Sequence, residues 1–97
     1  MNNSYFVFFN FELTDGELSP EFDKKMEDLG LKAMIDTGDN ILHLPRFSYI
    51  GEYTYNNPED LKNALYTEIK ELFAEMELAA LIFMSVSEFA TIGIDQF

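Results

Sequence analysis

The sequence contains no cysteine and no tryptophan. Without cysteine, no disulfide can staple the fold, no thiolate can hold zinc, and a cysteine nucleophile is excluded. Cations are scarce: six Lys and Arg stand against 18 Asp and Glu, for a formal net charge of −12. Proteins that grip nucleic acid draw much of their affinity from Lys and Arg that release counterions from phosphates. Here that contribution is repulsive over most of the surface. Histidine occurs once, as His43. No apolar run is long enough to span a bilayer. The first residues lack the basic segment of a secretion signal, so the expected location is the cytoplasm. There is no Gly-rich phosphate loop and no serine set in an evident His and Asp arrangement.

What is present is apolar and aromatic. Hydrophobic residues make up 47% of the 97 residues and aromatics 15%, a composition that builds a core rather than a disordered chain. The length suits one domain, residues 1–97. A pI near 4.1 fits two uses. Acidic surfaces resist aggregation, and they also attract a basic partner.

The stretch Tyr5 to Leu13, YFVFFNFEL, reads as the first strand. Strand side chains alternate between faces, so Tyr5, Val7, Phe9 and Phe11 share one side and Phe6, Phe8, Asn10 and Glu12 the other. Asp15-Gly16 is a turn signal. Ser19 and Pro20 suit the start of a short helix with Phe22, Met26 and Leu29 on one face, stopped by Gly30. Leu31 to Asp36 reads as a second strand, and DTGDN as a turn. A third strand spans Phe47 to Tyr55. Asn57 then caps a long helix opened by Pro58, with Glu59 and Asp60 complementing its dipole. Leu61, Leu65, Ile69, Leu72 and Met76 form its apolar stripe. Ala79 to Ser87 is the fourth strand, and residues 88–97 offer an extra edge strand or a tail.

The order is βαββαβ. Right-handed crossovers turn two βαβ halves into a ferredoxin-like α+β sandwich, with a four-stranded antiparallel sheet and both helices on one face. That leaves the second sheet face uncovered. Burying one Phe is worth about 1.5–3 kcal/mol, so Phe6, Phe8 and Phe83 are the expected contact of a homodimer. RNA-recognition domains share this element order and stack bases on sheet aromatics. PRFSYIGE, Pro45 to Glu52, partly follows their strand-three motif through Phe47, Tyr49 and Ile50. Pro45, Arg46 and Glu52 stand where that motif has a basic residue, a glycine and an aromatic, so direct nucleic-acid binding is not expected.

YFVFFNF, the helix end MEDLGL and ILHLPRFSYIGEY together resemble a small ferredoxin-fold group. It includes the type V antitoxin GhoS, VapD and the CRISPR-adaptation nuclease-like subunit. The resemblance lies in element order and hydrophobic rhythm over most of the chain. It implies a small dimer and, for several members, endoribonuclease activity on single-stranded RNA. Strand one of that group ends in an aspartate that the metal-dependent members use, and the matching residue here is Asn10. An amide is a poor ligand for a hard cation and cannot act as a base. In a ribonuclease reading the candidates are His43, Glu12 and Asn10.

No metal or other cofactor is expected, because a metal needs several converging ligands and His43 stands alone between Leu42 and Leu44. The long helix carries a more definite pattern. At about 100° per residue, Asp60, Glu68, Glu71 and Glu75 fall within a band of about 80° beside the apolar stripe. Such a row is either a solvated face or a set of carboxylates, spaced along a rigid rod and able to stand in for phosphates, presented to a basic groove. The expected function is therefore non-enzymatic: an acidic interaction protein of the antitoxin, immunity or anti-defence inhibitor type, acting on a basic, nucleic-acid-processing protein. A GhoS-like endoribonuclease and a dimeric scaffold or small-ligand sensor are the alternatives.

Overall fold

Alternation in the first strand sets the layers. The computed structural model describes residues 3–89 and residue 93. Its elements are β1 (Asn3–Asp15), α1 (Phe22–Asp28), β2 (Met34–Asp36), β3 (Ile41–His43), β4 (Ser48–Tyr55), α2 (Pro58–Glu75) and β5 (Ala79–Ser87). β1 is the central strand of an antiparallel sheet ordered β4-β1-β5. Tyr5, Val7, Phe9 and Phe11 are all buried and meet the inward faces of Phe22 and Met26 from α1 and Leu61, Leu65, Ile69, Leu72 and Phe73 from α2. Both helices thus cover the same sheet face. Phe11 is at the centre of an aromatic cluster. Its ring lies 5.5 Å from Phe22 and 5.3 Å from Phe73, both edge-on or tilted, and stacks on Tyr49 at 6.2 Å.

The expected four-stranded sheet is found as three strands and a separate two-stranded hairpin. Ile41–His43 is a strand that the sequence pattern did not single out, and it takes the backbone bonds of Met34–Asp36. The turn between them is closed by Thr37 and Asn40, by Asp36 Oδ1 accepting from Gly38 N at 2.8 Å, and by a left-handed Gly38. The second strand reaches the sheet at one point only. Lys32 and Ile50 exchange both backbone hydrogen bonds, each 2.8 Å.

Several boundaries move for local reasons. Glu21, not Ser19, is the residue before α1, and it provides no side-chain cap; the Ser19 carbonyl instead accepts from Phe22 N. Gly30 does stop the helix in a left-handed conformation, with Leu31 N donating back to Met26 O at 3.0 Å. β4 starts at Ser48 because Phe47 occupies a tight turn at φ 65°, which non-glycine residues seldom adopt. Its ring packs 5.0 Å from Phe11, with the Arg46 guanidinium 4.5 Å above it. Asn57 caps α2 as expected, its Oδ1 accepting from Asp60 N at 2.8 Å. Residues 90–92 and 94–97 lie outside the described residues, and with them most of the expected edge strand or tail.

Gly51 sits where β4 passes the end of α1. A methyl group there would meet the Gly30 carbonyl and lie 2.8 Å from Tyr53 Cε2. Gly51→Ala is expected to lower stability by about 1–3 kcal/mol through this overpacking. Urea denaturation checks it: the midpoint should fall while the slope stays constant.

Candidate functional site

The two helices pack side by side on the sheet, and the groove between them is anionic. It encloses about 320 Å³ and is lined by Lys25, Asp28, Leu29, Glu68, Glu71, Leu72 and Glu75. Glu68, Glu71 and Glu75 come from α2, where the apolar stripe beneath them fixes their rotation. Asp28 comes from the last turn of α1 and is held by Lys24 at 3.0 Å. Glu71 and Glu75, one helical turn apart, repel each other at a cost of a few tenths of a kcal/mol. Lys25 is the cation facing them. Asp60 is not in this groove. It lies about 12 Å of helix rise before Glu68, and it belongs to the cap, where Asn57 Nδ2 donates to its carboxylate at 2.9 Å.

Asp28 joins the carboxylates only through the packing of α1 against α2. No local pattern marks it, since in sequence it looks like any acidic residue near a helix end. Beneath the groove, the Tyr53 hydroxyl donates to the Leu29 carbonyl at 2.6 Å. Burial, and secondarily the charge of Glu68, push the Tyr53 pKa up to about 12. Tyr49 is also raised, by burial first and then by its hydrogen bond to Asp23.

The second sheet face is open. β1 contributes Phe6, Phe8, Asn10 and Glu12, and their cross-strand neighbours are Glu52, Ile50 and Ser48 on β4 and Ser87, Ser85, Phe83 and Leu81 on β5. Phe8 is 37% exposed, Phe83 58% and Leu81 70%, whereas Phe6 is half-buried. Phe6 lines a hollow of about 460 Å³ with Lys32, Met34, Ile50 and Glu52. Tyr49 and Phe47 pack in the core, so the third-strand aromatics that base stacking needs are turned away from this face.

The ribonuclease candidates occupy two different pieces of the fold. Asn10 lies on β1 between Ser48 and Phe83, and Glu12 lies opposite Leu81. His43 is exposed on β3 opposite Met34, outside the three-stranded sheet. No hydrogen bond joins His43, Asn10 and Glu12 to one another. Among the described residues, no group of three or more His, Asp or Glu is placed to hold a metal ion, and no helix is long and apolar enough to cross a membrane. Comparison with protein-family models, curated proteins and solved structures finds no match.

The tyrosines give the fold an alkaline limit. A free tyrosine titrates near pH 10, so between that pH and about 12 the unfolded chain loses a proton from Tyr53 that the folded chain keeps. The stability that this hydroxyl contributes is therefore complete below about pH 10 and is lost as pH rises through the folded value. Tyr49 adds to the loss in the same direction. Ultraviolet titration of tyrosinate should show these two hydroxyls resisting ionisation until the fold opens. Glu68→Gln should lower the Tyr53 transition.

Proposed function

We propose that this chain is an acidic, ferredoxin-like interaction module that works by binding a basic protein rather than by catalysis. The observation that carries the reading is the groove between α1 and α2, which Asp28, Glu68, Glu71 and Glu75 line together. A net charge of −12 steers a basic partner toward it from a distance. The carboxylates are spaced along a helix, as phosphates are along a strand. A cytoplasmic nucleic-acid-processing enzyme, whose own groove is basic, is the fitting target. Antitoxins, immunity proteins and anti-defence inhibitors act in this way. The β4-β1-β5 order, with Lys32 bridging to Ile50 beyond β4, supports the ferredoxin-like description. In the same reading the chain is a homodimer; of the expected contact residues Phe6, Phe8 and Phe83, the first two lie on the central strand β1 and Phe83 lies on the edge strand β5.

The test uses wild-type protein and Glu68→Lys/Glu71→Lys/Glu75→Lys as paired baits in cells of the native host, with nucleic acid digested. Wild type should retain a basic protein at low salt and release it at high salt. The triple variant should bind that protein at least about a hundredfold more weakly, at an unchanged circular dichroism spectrum, because reversing three charges costs at least about 2.8 kcal/mol at 1.4 kcal/mol per tenfold. Equal retention by both baits contradicts the reading. So does RNA cleavage by the purified chain that His43→Ala or Glu12→Ala abolishes.

A further inference from the structure

The two edges of the sheet are treated differently. Beyond β4, the chain itself blunts the edge with the Lys32 bridge and the β2–β3 hairpin. Beyond β5, no described strand pairs. Edge strands are ordinarily protected by charge, proline, a bulge or brevity. β5 has none of these on its free side. It runs nine residues, AALIFMSVS, without a charged residue or a proline.

The groove between α2 and this edge is equally bare of acid. Between α2 and β5 runs an apolar groove of about 620 Å³, lined by Ile69, Phe73, Leu78, Ala80 and Ile82, with Lys70 its one charged group. The acidic groove lies on the other side of the apolar stripe, toward α1. Farther up the β5 side, Glu59 is neutralised by Lys62 at 3.0 Å. A chain of net charge −12 has kept its carboxylates off one strip, bounded by Glu77 and Glu88 at the ends of β5.

We propose that this strip joins two copies of the chain: β5 pairs antiparallel with β5 of a second copy about a two-fold axis at Phe83, extending the three-stranded sheet to six strands. This deepens the homodimer reading and rests on it. Two copies repel each other over most of their surfaces and meet without that penalty only where neither carries acid. The pairing is self-complementary, as a two-fold contact must be. Phe83 is the middle residue of β5, so this axis keeps the whole strand paired. Each Phe83 then faces its own copy, Leu81 faces Ser85, and Ala79 faces Ser87. The free N–H and C=O groups of both edges are satisfied, and the two apolar grooves face each other across the axis. Tyr66 and Ala74, which flank Lys70 in each groove, come toward the opposite helix.

Residue 83 can be made to repel or attract itself. Like charges directly opposite on neighbouring strands are destabilising and opposite charges are not. Phe83 is 58% exposed and outside the core, so replacing it leaves the fold intact. In sedimentation, wild type should run as two chains. Phe83→Glu and Phe83→Lys should each associate at least about tenfold more weakly, and an equal mixture of the two should recover the two-chain particle. Ala74→Glu, which places an acid in the groove, should weaken association, whereas Phe8→Glu at the centre of the open face should not. Amide hydrogen exchange in β5 should slow as protein concentration rises.

A dimer broken by Phe8→Glu and kept by Phe83→Glu would overturn the edge pairing while preserving the homodimer. A single-chain wild type would overturn both. Slow β5 exchange independent of concentration would show that the chain covers its own edge, and would also overturn the proposal.

Discussion

The thirteen residues of β1 run between β4 and β5, and the pleat divides their aromatics into two sets that cannot be exchanged. One set, Tyr5, Val7, Phe9 and Phe11, must be dry. Phe9 and Val7 are wholly inaccessible, and Phe11 touches rings from both helices and from β4. A slip of one residue in the β1 pairing would send Phe6 and Phe8 beneath the helices and strand the buried set in water. The register of both neighbouring strands, the placement of both helices and the identity of the open face all follow from that single alternation.

The same logic organises charge. The apolar stripe of α2 is pinned to the sheet by Leu61, Leu65, Ile69, Leu72 and Phe73. Its acidic flank therefore has to face α1, and its neutral flank has to face β5. The groove toward α1 is thereby made anionic, and the groove toward β5 is left without acid. In the proposed reading one surface attracts a basic partner and another pairs with a second copy, and both depend on that separation. A uniform distribution of the same carboxylates would give solubility and no address.

The sequence was most readable where the periodicity is strong and local. β5 and the cap of α2 follow directly from their apolar run and from Asn57-Pro58. It was least readable where a backbone group could choose between partners. Leu31 to Asp36 looks like a full strand of the sheet, yet residues 34–36 pair with Ile41–His43 and only Lys32 bonds to β4. Phe47 has the composition of a strand residue, and the turn that carries its ring onto Phe11 places it outside β4. For the site, the α2 carboxylates could be phased from the helix repeat alone. Asp28 could not, because its place depends on how two helices lie together. Asp60 shares their face by the helix repeat but lies in the first turn of α2, below the groove. His43, Asn10 and Glu12 were candidates by residue type, and the chain does not connect them by hydrogen bonds.

The division of the β1 aromatics is most directly tested by nuclear Overhauser contacts between individually labelled phenylalanine rings. Phe11 should show contacts to Phe22 of α1 and to Phe73 of α2, with Phe8 showing none to either helix. Contacts from Phe8 to Phe22 or Phe73, with Phe11 lacking them, would mean that β1 is turned the other way and would contradict the whole account.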